Sequence, residues 1–132
     1  MNDQLGRLEG LFKALGDATR LRILRLLMAG EVCVCDIHEV LGIPQSKASR
    51  HLAYLRRTGL VATRREGLWI HYRLAEAADP VVATIRDAAT HVLGHVDTLR
   101  NDAARLEKRT GCCVPMTGSS ALACCAPPAM RR

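Results

Sequence analysis

The sequence predicts a mainly α-helical fold with one β-hairpin, a winged helix-turn-helix, and three observations indicate it. Apolar residues recur three and four positions apart over most of residues 3–108, which is the period of an amphipathic helix. Two of the helical segments are separated only by residues 42–44, and a tight turn between short helices is typical of a helix-turn-helix. After Gly59 apolar and polar residues alternate over residues 60–65 and 69–74, which predicts the two strands of a hairpin.

Two helices come before the helix-turn-helix in this prediction. The first runs from Asp3 to Leu15 and packs on its own domain or on a partner. The second is capped by Asp17 and ended by Gly30. Their apolar stripes are Leu5, Leu8, Phe12 and Leu15, and Leu21, Leu24, Leu27 and Met28. An extended segment at residues 32–34 then leads into a third helix over about residues 35–41.

The helix from Pro44 to Gly59 is the one we expect to lie against a nucleic acid. Ser46 is its expected N-cap, because a serine hydroxyl can accept the free N–H groups of a first turn. Ala48, Leu52 and Leu55 form a narrow apolar stripe that would face the core. The other face carries hydrogen-bond donors and cations: Gln45, Ser46, Lys47, Ser49, Arg50, His51, Tyr54 and Arg57. Such side chains read base edges and hold phosphates, so this face predicts a double-stranded DNA partner.

The charge distribution supports this partner. The chain has a net charge of +6, and residues 46–73 hold seven bases against the single acid Glu66. A solvated surface normally mixes the two signs, whereas an excess concentrated in one segment favours binding to a polyanion. Only four residues are aromatic, which argues against a platform for stacking single-stranded bases.

The predicted hairpin would be the wing that follows the helix-turn-helix. Arg64 and Arg65 stand near its tip, which we place around residues 66–68. We expect these arginines to contact phosphates or the neighbouring minor groove. The alternative is an ordinary edge hairpin whose arginines are merely solvated.

One long C-terminal helix is predicted over residues 80–108, starting with Asp79 as the cap and Pro80 in the first turn. Its apolar residues alternate at spacings of three and four: Val82, Ile85, Ala89, Val92, Val96, Leu99, Ala103 and Leu106. This seam predicts a homodimer through the N- and C-terminal helices, which would require an inverted-repeat operator. His91 and His95 would be one turn apart, either as metal ligands or as exposed helix residues.

The expected organisation is one domain over residues 1–108 followed by a tail, residues 109–132, rich in Gly, Ser, Ala and Pro. The tail holds two adjacent cysteine pairs, Cys112 with Cys113 and Cys124 with Cys125. No export signal or membrane span is apparent, so we expect a cytoplasmic protein with no membrane partner. Six cysteines in such a protein favour reduced ligands or redox groups over structural disulfides.

Four segments together resemble the ArsR/SmtB metalloregulatory repressors over about residues 8–100. These segments are LFKALGDATRLRILRLL, EVCVCDIHEVLG, QSKASRHLAYLRRTGLV and RREGLWIHYRL. The resemblance implies a dimeric winged helix-turn-helix repressor that leaves its operator when an inducer ion binds. The zinc-sensing branch carries ligands at a fixed spacing in its last helix, which Asp87, His91, His95 and Asp97 do not reproduce.

EVCVCDI is similar to the cysteine box of arsenite and antimonite sensors, and it implies Cys33 and Cys35 as ligands of an inducer ion, As(III) or Sb(III), with no organic cofactor. The third cysteine of such a box is replaced here by His38. Two site models remain open. In the first, Cys33 and Cys35 bind with a third thiolate, such as Cys112 or Cys113 of either subunit. In the second, Cys112 and Cys113 form a separate site with Cys124 or Cys125.

The helical period gives a mechanistic expectation for the first model. Residues two apart in a helix diverge by about 200°, so an ion that holds Cys33 and Cys35 would favour an extended or unwound helix start. Other soft ions (cadmium, lead, zinc) and thiol oxidation are alternative signals. An enzyme with a nucleophilic cysteine would need a glycine-rich anion loop beside it, and a metal-storage protein would not need the basic segment, so we expect neither.

Overall fold

The structure, a computed structural model, describes residues 3–76 and 79–109. It consists of six helices and three strands: α1 (Asp3–Leu15), α2 (Ala18–Leu27), β1 (Val32–Cys33), α3 (Val34–Leu41), α4 (Gln45–Arg57), β2 (Val61–Glu66), β3 (Trp69–Leu74), α5 (Pro80–Leu93) and α6 (Asp97–Arg109). Within these ranges none of the helices has the length and apolar character needed to cross a bilayer. The predicted winged helix-turn-helix is confirmed, with α3 and α4 as its two helices.

The helix ends follow the local sequence with two exceptions, of which the first is α2: it ends at Leu27 with Met28 as its C-cap and not at the predicted Gly30. The Asp17 carboxylate accepts the Arg20 N–H at 3.0 Å, and the Asp79 carboxylate accepts the Val81 N–H at 2.9 Å, as their predicted cap roles require. Gly42 ends α3 with a left-handed φ of 70°, a conformation that costs a side-chain-bearing residue more than it costs glycine. The expected cap at Ser46 is wrong. Residue 44 is the N-cap, without a side-chain hydrogen bond, because α4 begins one residue before the serine.

The hairpin is part of a three-stranded antiparallel sheet in the order β1, β3, β2. Its register pairs Val61 with Leu74 at one end and Glu66 with Trp69 at the other, so the turn itself is only two residues long. The first strand is thus shifted by one residue from the prediction. The extended segment before α3 was predicted, but its pairing with β3, which sets Cys33 opposite His71, was not.

The predicted single C-terminal helix is wrong, because the chain breaks between α5 and α6. Gly94 stops α5, and an acidic residue at the start of α6 suits the positive end of a new helix dipole. After the break, α6 packs against α2 and α3 of the same chain and buries Leu99 and Leu106. Of the predicted seam, Val92 and Val96 remain exposed, while Val82 of α5 is also buried within the chain.

The core lies where α2, α3 and α4 meet under the sheet, and Ile23, Leu26, Ile37 and Leu52 are all fully buried there. Helix α1 contributes Leu11 and Ala14 to the core, and Leu15 of the predicted stripe packs against it while partly exposed. Two members of that stripe, Leu5 and Phe12, are 70% and 59% exposed. Phe12 borders an apolar groove between α1, α2 and α5 that is also lined by Leu15, Leu21, Ile85, Val92 and Val96.

Candidate functional site

Helix α4 presents two faces, as its pattern predicts. Ala48, Leu52 and Leu55 have no exposed surface and anchor the helix to the core. Three cations of the opposite face, Lys47, Arg50 and Arg57, are exposed together with Ser46, while Gln45 and Ser49 are half-buried. The helix therefore carries a row of cations on a rigid support, an arrangement suited to phosphate and base contacts.

His51 and Tyr54, two of the predicted DNA contacts, instead face Arg20 of α2. The guanidinium of Arg20 lies 4.1 Å from the centroid of the Tyr54 ring, and its Nη1 lies 3.3 Å from Nδ1 of His51. Arg20 also donates from Nε to the Ala14 carbonyl at 2.9 Å and from Nη2 to the Lys13 carbonyl at 3.0 Å. Arg20 therefore joins the end of α1 to α4. The sequence held one weak indication of it, a cation in the first turn of α2, where the helix dipole disfavours positive charge.

The surroundings of His51 keep its imidazole neutral near pH 7. Burial lowers the pKa of His51, and the positive charges of Arg20, Lys47 and Arg50 lower it further. The Asp17 carboxylate, 3.9 Å away, acts in the opposite direction but does not reverse the shift. His51 therefore adds no charge to the cationic face of α4 at neutral pH and acts as a hydrogen-bonding residue between α2 and α4.

The wing arginines have different environments. Both are exposed, but Arg64 is held by the Glu31 carboxylate with N···O distances of 2.8 to 3.0 Å. Arg65 is the next residue of β2 and so points to the other face of the hairpin. Of the two wing arginines, only Arg65 has no carboxylate neighbour among the described residues.

The cysteine box forms a compact cluster at the junction of β1 and α3. The Sγ atoms of Cys33 and Cys35 are 3.1 Å apart, and Asp36 Oδ2 lies 3.6 Å from Cys33 Sγ. All three residues are at most 5% exposed. Among the described residues this is the one group of three potential metal ligands whose donor atoms lie within 4.8 Å of each other.

Of the two expected forms of the helix start, extended or unwound, the structure has the extended one. Cys33 is the N-cap of α3, with an extended backbone (φ −85°, ψ 159°), while Cys35 is the second residue of the helix. The extended residue turns its side chain back toward the first helical turn, so the helical divergence does not apply to the pair. The two sulfurs are already close enough to share an ion.

Helix α6 ends beside this cluster. Arg109 Nη2 lies 3.2 Å from Asp36 Oδ1, and Arg105 donates to the Val40 carbonyl at 3.1 Å. Burial raises the pKa of Asp36, and the nearby Arg109 guanidinium opposes that shift. The contacts link the last described residue of the chain to the residue next to Cys35, an association over more than 70 positions that the sequence pattern did not predict.

The other candidate ligands fall outside this cluster. Cys112, Cys113, Cys124 and Cys125, with most of the predicted tail, lie outside the described residues. His91 and His95 are exposed, with ring centroids 5.0 Å apart. In the described ranges they belong to no cluster of three potential ligands, which favours the interpretation as exposed residues, although only His91 is in a helix and His95 lies in the turn after α5.

Neutralising Arg50 gives a direct test of the reading surface. We expect Arg50→Gln to weaken DNA binding about tenfold and to lower the log–log salt slope by about one for each phosphate that is no longer neutralised. Fluorescence anisotropy over a range of salt concentrations measures both quantities. Arg100→Gln is the matched control, since Arg100 is exposed on α6. Equal effects of the two substitutions would show that only net charge matters and that α4 is not the reading helix.

The chain is similar to known regulators in sequence. A family model described as "Bacterial regulatory protein, arsR family" matches residues 17–63. The arsenical resistance operon repressor of Escherichia coli K12 is 50% identical over 80 residues, which span 60% of this chain and 68% of that repressor. A transcriptional repressor SmtB homologue from Synechocystis is 36% identical over 90 residues, which span 68% of this chain and 67% of the homologue.

A solved structure supports the same relationship. It is the homodimeric winged helix-turn-helix DNA-binding domain of a possible ArsR-family transcriptional regulator from Mycobacterium bovis, determined by NMR in solution. The two chains are 35% identical and superpose with a TM-score of 0.58 over 70% of this chain and 84% of the other. The family model, matched over residues 17–63, covers α3 and α4, the two helices of the helix-turn-helix, and reaches only the start of β2.

Proposed function

Since this chain belongs to the arsR family of bacterial regulatory proteins, we propose that it represses a metalloid-resistance operon in the cytoplasm and leaves the operator when trivalent arsenic or antimony binds. The family assignment makes the chain a DNA-binding transcriptional repressor and not an enzyme. The identity of the signal is the further step. It is supported above all by one observation, the 3.1 Å separation of two buried sulfurs in the cysteine box.

The sulfur geometry fits a thiophilic ion with pyramidal coordination. Two metal–thiolate bonds of about 2.3 Å at a right angle place their sulfurs roughly 3.3 Å apart. The observed separation of the two sulfurs is close to this value. Soft thiolates prefer soft ions, and trivalent arsenic and antimony prefer three sulfurs with a lone pair opposite them. Cys33 and Cys35 supply two of the three.

The third thiolate is proposed to come from Cys112 or Cys113, which is the first of the two site models. Arg109 contacts Asp36, and Cys112 is three residues farther along the chain. Three extended residues span about 10 Å, a reach compatible with a ligand from the same subunit. The separate tail site of the second model has no support of this kind.

Closing a three-sulfur site would draw the chain after α6 toward α3, and α3 packs against α4, the proposed DNA-binding helix. An ion can shift a conformational equilibrium only by its differential affinity for the two states. The conformation that releases DNA must therefore be the one in which the third sulfur reaches Cys33 and Cys35. We therefore propose that movement of the chain after α6 toward α3, and not unwinding of the helix start, is the mechanism that releases DNA.

We further propose that the protein acts as a homodimer on an inverted-repeat operator. Phe12 of α1 and Val92 of α5 are exposed and border one apolar groove that a second copy would cover. The homodimeric state of the Mycobacterium bovis relative supports this assembly. A twofold dimer would set two copies of α4 about one turn of DNA apart.

A second candidate signal is a divalent soft ion such as cadmium, lead or zinc. It is favoured by the Asp36 carboxylate beside the two sulfurs, because oxygen and sulfur ligands together suit borderline divalent ions. Oxidation of the thiols is the remaining alternative from the sequence, and the short separation of the two sulfurs is compatible with it.

Titration of the DNA complex separates these signals. Fully reduced protein is bound to an inverted-repeat DNA from its own promoter, and anisotropy is followed as arsenite, antimonite, cadmium and zinc are added separately. We expect arsenite or antimonite to release the DNA at the lowest concentration. Release by cadmium or zinc first would assign the signal to a divalent ion. Release only by an oxidant, with a loss of titratable thiols, would identify a redox switch.

A further inference from the structure

Glu31, the residue just before β1, forms hydrogen bonds with Arg64 of the wing. Its two carboxylate oxygens accept hydrogen bonds from Arg64 Nε, both at 3.0 Å, and Oε1 also accepts one from Arg64 Nη2 at 2.8 Å. Arg73 of β3 approaches the same carboxylate, with its Nε 3.8 Å from Oε2. The neighbouring Arg64 guanidinium lowers the pKa of Glu31, so this carboxylate stays charged at neutral pH.

The Glu31 carboxylate occupies the Nε and Nη2 hydrogens of Arg64, which a DNA phosphate would also need. A guanidinium presents its Nε and Nη2 hydrogens as a planar fork that fits a carboxylate or a phosphate, but only one of them at a time. The Arg64 side chain is 43% exposed and that of Glu31 is 30% exposed, so solvent reaches the pair. An exposed ion pair is weak enough for DNA to displace, and its loss subtracts from the affinity for DNA.

We propose that Glu31 is an affinity-determining residue for DNA, because its carboxylate competes with the operator phosphate for the guanidinium of Arg64. The free protein holds the wing arginine in a phosphate-like contact, and each subunit must break that contact when the wing binds. The proposal uses the DNA-binding activity of the family and is independent of the inducer. A failure of the arsenite titration would leave it standing.

The test is operator affinity without any inducer. We expect Glu31→Gln to tighten operator binding on the order of threefold to tenfold, because the carboxylate charge on Nε and Nη2 of Arg64 is gone and only Glu66, 3.3 Å from Nη1, still pairs with the arginine. Glu76→Gln is the charge control, since Glu76 is exposed just past β3 and lies outside the described contacts of Arg64. It makes the same change in net charge and should tighten binding by less than twofold.

A double-substitution cycle connects the effect to Arg64. In an Arg64→Gln background, Glu31→Gln should have no more effect than the control, because there is no guanidinium left to release. Thermal unfolding is measured in parallel, and removal of a purely structural ion pair would lower stability without tightening DNA binding. An unchanged or weakened affinity of Glu31→Gln, or an equal gain in the Arg64→Gln background, would overturn the proposal.

Discussion

A variant in which Cys33 and Cys35 are both serine is expected to remain on its operator at arsenite concentrations at least about 100-fold above those that release the native protein. The substitution removes both sulfurs of the 3.1 Å pair, and alcohol oxygens are poor ligands for a soft ion. Even residues that only orient metal ligands change affinity by about 10- to 100-fold, so the loss of two ligands should exceed that range. Anisotropy of the DNA complex during arsenite titration is the measurement.

Two controls make this result interpretable. Cys35 is fully buried, and a buried hydroxyl without a partner destabilises a core, so a double alanine variant is made in parallel and operator binding without ion is measured first. A variant with serine at Cys124 and Cys125 makes the same chemical change in the distal tail pair. If the Cys33 and Cys35 variants respond to arsenite like the native protein, the first site model is wrong and the tail cysteines must form their own site.

Local periodicity was sufficient to predict the winged helix-turn-helix, because its helices and strands are short and each has a clear pattern. The same reasoning failed after residue 80. The apolar spacing continues through Gly94 without a change of period, yet the helix stops there. The break allows α6 to pack against α2 and α3, and this packing exists only in the folded chain. A repeat of threes and fours describes which residues are buried and leaves open whether they are buried within the chain or against a partner.

The candidate site divides in the same way. The spacing of Cys33 and Cys35 pointed to shared ligation, but their close approach depends on the first being the cap and only the second lying in the helix. Glu31 and Arg109 carry no local signature of their roles, and Arg20 carries only the weak one of a cation in a first helical turn. Each acts through a partner distant in sequence, as with Arg64, His51 and Asp36, and a single sequence provides no means to identify such pairs.

Replacement of Asp102 by asparagine is expected to lower the free energy of unfolding by about 2 kcal/mol, because a buried carboxylate loses charge-assisted hydrogen bonds to two partly exposed arginines. Asp102 is 2% exposed and accepts hydrogen bonds from Arg22 at 2.8 and 3.0 Å and from Arg105. The arginine of α2 keeps its charge while the carboxylate that compensates it is gone. Thermal unfolding followed by circular dichroism should show a fall in Tm of about 10 °C.

Asp97→Asn is the matched control, because Asp97 is in the same helix and pairs with Arg100 at 3.4 Å, but its side chain is 92% exposed. We expect a change of less than about 0.5 kcal/mol there, since exposed ion pairs contribute little. Equal stabilities of the two variants would show that the Asp102 pair does not hold α6 in place.

If the Asp102 pair does hold α6, loosening that helix also moves Arg109 away from Asp36. Asp102→Asn should then require more arsenite for release from DNA, whereas Asp97→Asn should not.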